Sequence, residues 1–210
     1  MAGEGVDLYV PTYISRSGLA ESRAKLQRFI RDHRLGQYDR LHVFAFIAGA
    51  WTFNPLVETQ ALPNLATVIY DRSPFQERAP RIAAEKLRFL TSVKYGSPVF
   101  DVARTPYVPL AMVDVKVALL VETKPTSFIK HHEKTARGYG AFRFECDAFM
   151  QRYADCIYVP IDHDELYTQF TKVWPELLAF IRTGRFSSAA NRTPPAGDPL
   201  AGADRTEATR

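Results

Sequence analysis

The sequence is short of residues that announce chemistry by themselves. Two cysteines in 210 residues, Cys146 and Cys156, cannot build a disulfide framework, and their spacing fits no metal-binding pattern. They are expected to be reduced thiols in the core of a cytosolic protein, since pairing needs Cα atoms within about 7 Å. Long apolar runs are also lacking. The longest, residues 113–121, is broken by Asp114 and Lys116 and falls well short of the roughly 20 residues that span a bilayer. Residues 1–6 lack a basic stretch followed by an apolar one, so no secretory signal is expected and the expected compartment is the cytoplasm. Charge of one sign is scarce in excess. The net charge is +4, and much of the basic excess lies along one helix, at Arg23, Lys25, Arg28, Arg31 and Arg34. Without a dense basic patch interleaved with aromatics, nucleic acid is excluded as an expected partner. Neither a cofactor nor a metal is expected from residue spacing.

What the chain does have is an ordinary globular composition, 46% hydrophobic and 24% charged, enough for one packed core. Five apolar runs read as strands: residues 6–10 (VDLYV), 41–47 (LHVFAFI), 66–70 (ATVIY), 115–121 (VKVALLV) and 156–161 (CIYVPI). Between them lie amphipathic stretches predicting helices over 19–34, from 50 to before Pro63 with an interruption near Pro55, and over 76–91, 142–153 and 165–182. Ser17 is the expected cap of the first helix, and Gly184 ends the last. Residues 92–109, rich in proline, glycine and aromatics, read as a loop or lid-like insertion, and residues 126–140 as a polar, partly helical segment. From Ser187 the large apolar residues nearly vanish. The expectation is therefore a single domain over residues 1–186 and a disordered tail over 187–210.

Alternation of this kind predicts a three-layer α/β fold, a mainly parallel sheet of about five strands flanked by helices. Ligands of such sheets bind beyond the carboxyl ends of the strands. Chemistry is therefore to be sought in residues 11–17, 48–52, 71–76, 122–127 and 162–165.

The segment from Tyr38 to Ala50, YDRLHVFAFIAGA, resembles the strand and nucleophile elbow of the α/β-hydrolase (lipase/esterase) superfamily. Aligning the small residues places Ala45 on the motif's first glycine, Phe46 on its histidine and Ile47 on its serine, with Gly49 and Ala50 on the last two positions. Residues 63–68 with Arg72-Ser73-Pro74-Phe75-Gln76 are similar to the next strand and its turn. Residues 159–166, VPIDHDEL, look like the loop carrying the catalytic histidine, and residues 180–186 like the closing helix. The likeness implies an α/β-hydrolase fold over roughly residues 6–186, with His163 as base and an acid after the strand at 115–121, where Glu122 stands.

Two departures qualify that implication. Ile47 offers no nucleophile, and a β-branched residue makes a strained elbow costly, so a relaxed strand-to-helix turn is expected. The chain also opens where the family's fourth strand would begin, so the strand and loop giving the second oxyanion donor have no counterpart. Loss of one such donor costs about two to three orders of magnitude in turnover. Ser73 is a replacement nucleophile or, alternatively, a turn residue beside Pro74. Glu122 is the acid or the partner of Lys124; His163 is a base or a residue retained at a helix cap. His131, His132 and Glu133 do not make a metal site alone, because adjacent histidines point apart.

Arg72, Lys124, Lys130, His131, His132, Lys134 and Arg137 would form an anion-attracting rim if residues 122–137 fold over the sheet edge; a solvated loop is the alternative. Aromatics at Tyr95, Phe100, Tyr107, Tyr139, Phe142 and Phe144 either line a pocket or seal the core. The expected function is that of a hydrolase-like protein without serine-esterase activity, binding a small-molecule or acyl ligand in the former substrate cleft. The alternative is a hydrolase of ester-type bonds using His163 with water or an unusual hydroxyl. Oligomerisation through a sheet edge is a further expectation.

Overall fold

A computed structural model describes residues 5–197 and residue 200. Four strands, β1 (Leu41–Ala45), β2 (Leu65–Arg72), β3 (Lys116–Glu122) and β4 (Asp155–Val159), form one sheet in the order β1-β2-β3-β4. Every neighbouring pair is parallel. The α/β class is as expected, but the sheet has four strands rather than five. Residues 6–10 are extended yet unpaired, with Val10 81% exposed. Their anchoring comes from Tyr9, whose ring meets Phe29, His33 and Tyr38, and from Asp7, which accepts from the Tyr38 hydroxyl at 2.8 Å, so this run is held by side chains instead of a ladder.

The first connection carries α1 (Leu19–Asp32) into β1, and α2 (Ile47–Thr59) links β1 to β2. Ser17 does not cap α1. Gly18 takes the N-cap position, and the Leu19 amide donates to Oδ2 of Asp101 at 2.9 Å, a cap borrowed from 82 residues away. After β2 the expected single helix is divided into a 3-10 turn at Gln76–Arg78, α3 (Ala79–Lys86) and α4 (Arg88–Tyr95), which part where Leu87 leaves helical geometry. The expected loop at 92–109 holds the end of α4 and a further helix, α5 (Pro98–Arg104).

Beyond β3 come α6 (Ser127–His131) and α7 (Glu133–Gly138), the partly helical segment foreseen. The helix expected over 142–153 is reduced to a 3-10 turn at Cys146–Phe149, closed by Met150 in a left-handed conformation. That reversal returns the chain to β4 and brings the two cysteines together. Cys146 and Cys156 form a disulfide with Cα atoms 6.6 Å apart, which corrects the expectation of free thiols. The chain closes with α8 (His163–Thr168) and α9 (Phe170–Thr183), ended by Gly184 in the left-handed region.

Strand alternation divides the interior in two. Val68, Tyr70, Leu119 and Val121 face one way and pack with Leu26, Ile30, Phe53, Leu56 and Ile82. Ile69, Ala118, Leu120 and Ile157 face the other, against Leu166, Val173, Leu177 and Phe180 of α8 and α9. Each fully buried side chain of this kind is worth about 1.5–3 kcal/mol of transfer free energy. The expected domain boundary falls at residue 186. The Asn191 carbonyl accepts from the Tyr158 amide at 2.8 Å, and Arg192 reaches Asp155, so the chain just beyond that boundary lies along β4. The remainder of the expected tail, residues 198, 199 and 201–210, lies outside the described residues. Among the described residues no helix is long and apolar enough to cross a membrane.

Candidate functional site

Three parallel strands end side by side, and what stands at those ends decides the site. Along β2 and β3, Ile69 and Leu120 face the α8–α9 layer, and alternation carries Asp71 and Glu122 onto that same face. Each strand thus finishes an apolar run with a carboxylate, and each carboxylate is fully buried. The loop after β4 delivers the third member. Asp162 caps α8 by accepting from the Glu165 amide at 2.8 Å, while the Glu165 side chain accepts from the Asp162 amide at 3.0 Å. This capping box fixes His163 as the first residue of α8 and turns its ring towards the sheet.

Nδ1 of His163 lies 3.0 Å from Oε1 of Glu122 and 3.3 Å from Oδ2 of Asp71. Nε2 takes no hydrogen-bond partner among the described residues. Phe46 and Tyr167 stack on each other at 4.6 Å, and both rings meet the imidazole edge to face, at 6.0 and 5.1 Å. Tyr13 covers the neighbouring turn, its hydroxyl close above Gly49, and burial pushes its phenol up to about 12.

Electrostatics follow from burial and crowding. Burial drives Glu122 up to about 8, and the adjacent charge of Asp71 adds to the effect. Asp71 is raised for the first of those reasons, with His163 opposing. Burial would lower His163, but hydrogen bonds and charge from Asp71 and Glu122 outweigh it and raise the imidazole to about 10. The cluster therefore holds protons tightly, and an imidazole kept as a cation near neutral pH is a poor general base.

Of the residues expected to carry chemistry, the structure brings Glu122 and His163 together. Glu122 partners the histidine rather than Lys124, which instead lies 3.9 Å from Glu165. Ser73 is fully buried, and its hydroxyl accepts from the Phe75 amide at 3.3 Å, a turn role. Ile47 is the first residue of α2, buried and with no left-handed backbone, so the strand-to-helix turn is relaxed as expected. Arg72 does not join the expected anion rim. Arg72 is buried on the opposite face, stacked 4.0 Å over Tyr107, paired with Glu77 and donating to the Phe149 carbonyl. The aromatics mostly seal the core: Phe142 and Phe144 pack on Phe75, while Tyr95 stays half exposed.

Asp71 was not singled out from sequence. Its signal was available, because a carboxylate ending a buried apolar strand repeats what Glu122 does on β3. A surface cavity of about 460 Å³, lined by Glu85, Lys86, Lys134 and Tyr139, shares no residue with the cluster. Compared with protein-family models, curated proteins and solved structures, the chain finds no significant match.

Proposed function

We propose that this chain is an α/β-hydrolase-like protein whose strand-end cluster of Asp71, Glu122 and His163 serves ligand binding and not serine-ester hydrolysis. The observation that carries this reading is the content of the turn after β1. Where the resemblance puts a nucleophile stands Ile47, buried at the start of α2, and the neighbouring Phe46 presents an aromatic ring, not a hydroxyl, to His163. Neither a hydroxyl nor a thiol bonds to His163 among the described residues, and covalent catalysis needs one within hydrogen-bond reach.

The second reading, hydrolysis by water activated at His163, is favoured by one feature: Nδ1 is oriented by Glu122 while Nε2 has no partner, the geometry of an oriented base. Turnover of a panel of short and medium acyl esters by the wild type and His163→Ala separates the two. The binding reading expects no turnover above buffer from either protein. Turnover by the wild type that His163→Ala loses would establish the hydrolase.

A further inference from the structure

Hydrogen-bond supply at the cluster falls short of demand. Four carboxylate oxygens are buried there, yet among the described residues Oε1 of Glu122 alone takes a well-directed hydrogen bond; Oδ2 of Asp71 has only a share of the same Nδ1, at 3.3 Å, and Oδ1 of Asp71 and Oε2 of Glu122 have no hydrogen-bond partner. Leaving such atoms buried and unpaired opposes folding, more so when they are charged. Beyond the one Nδ1 of His163, nearby cations do not supply the need. Arg72 follows Asp71 in sequence but projects to the opposite face of the sheet, and Lys124 is engaged with Glu165. Two buried carboxylates and one imidazole, delivered by the ends of three adjacent strands, instead match the donor set of a small hard-to-borderline cation.

Geometry agrees. Bonds of about 2.0–2.2 Å to imidazole nitrogen and carboxylate oxygen place neighbouring ligand atoms about 3.0–3.5 Å apart in tetrahedral or octahedral coordination. Nδ1 of His163 lies 3.0 Å from Oε1 of Glu122 and 3.3 Å from Oδ2 of Asp71. The remaining separation, between the two carboxylates, is bounded at 4.8 Å, so a small side-chain adjustment would close the set on one ion. We propose that Asp71, Glu122 and Nδ1 of His163 bind one divalent first-row transition-metal cation, with Zn²⁺ and Mn²⁺ as its nearest chemical fits. Water would complete the coordination on the His163 side, where the side chain is 19% exposed while both carboxylates are closed off. The inference rests on the reading of this cluster as a binding site and names its ligand.

The test uses the full chain stripped with a chelator. Calorimetric titration with ZnCl₂ and, separately, MnCl₂ is expected to give one saturable site for at least one of the two metals. Asp71→Asn and Glu122→Gln are each expected to weaken it at least tenfold, with unchanged circular dichroism. In parallel, the ¹⁵N resonance of His163 Nδ1 in the wild type is expected to move to the metal-bound range with a diamagnetic ion, which requires no variant to fold. No saturable binding, or binding that leaves the His163 resonance unmoved, overturns the proposal and assigns the cluster to a proton shared by Asp71 and Glu122. Either result is distinguishable from failure of the binding reading, which is decided by ester turnover.

Discussion

At the scale of single residues, two carboxylates are buried where neither has enough donors. Asp71 has only the Nδ1 of His163 beside Oδ2, at 3.3 Å and shared with Glu122, and Oε2 of Glu122 has no hydrogen-bond partner among the described residues. In the metal-free protein such an arrangement opposes folding, as functional clusters commonly do. Asp71→Asn removes a buried carboxyl and supplies an amide donor towards Glu122. It is expected to raise the stability of the metal-free protein by about 1 kcal/mol, measured as a higher urea midpoint with an unchanged slope. A lower midpoint would mean that Asp71 already has a good partner in the folded state.

Asp155 shows the opposite situation. It takes Arg192, the Phe186 amide and the Cys156 amide together, and although burial raises its carboxyl, those partners lower it below the ordinary range. A depressed carboxyl contributes stability above its unfolded pKa of about 3.9 and loses it as pH falls through the folded value. Asp155→Ala is therefore expected to cost about 1–3 kcal/mol at pH 7. The gap to wild type should narrow as pH drops below about 4, again read from urea midpoints; a gap independent of pH would remove the charge from the explanation.

At the scale of elements, four of the five strand runs were legible because each is covered on both faces, which leaves a near-continuous apolar signature in LHVFAFI, ATVIY, VKVALLV and CIYVPI. Residues 6–10 carry a similar pattern, but periodicity reports apolar content and not pairing. The energy of that segment comes from Tyr9 against Phe29 and His33, contacts with residues far along the chain. Helices were less legible where tertiary contacts decide their ends. The cap of α1 is Asp101 on α5, and the segment expected as one helix before β4 is instead bent back by Met150 and tied by Cys146–Cys156. No local signal encodes either. The capping box of α8, by contrast, is contiguous in Asp162-His163-Asp164-Glu165, yet the single helix expected over 165–182 left His163 in the preceding loop; the chain instead forms two helices, the first starting at His163.

At the scale of the whole molecule, parallel topology converts sequence distance into proximity. Asp71, Glu122 and His163 are spread over 93 positions, and the sheet order β1-β2-β3-β4 sets their strands next to one another. The strand-end rule identified where to look, and a resemblance pointed to Glu122 and His163. Asp71 fell within residues 71–76, where chemistry was to be sought, but was not singled out, because a single acid after an apolar run is also common in surface turns; its repetition of Glu122 at the end of β3 was the available signal. The same topology leaves β1 with a neighbour on one side only, beside a turn that offers Ile47 and Phe46 where serine chemistry would need a hydroxyl.

That absence is the centre of the functional account, and covalent labelling addresses it most directly. Folded protein treated with a fluorophosphonate serine-hydrolase probe, followed by peptide mapping, is expected to carry no specific adduct. A single labelled serine, lost both on heat denaturation and in His163→Ala, would contradict the account and identify a nucleophile activated by this histidine.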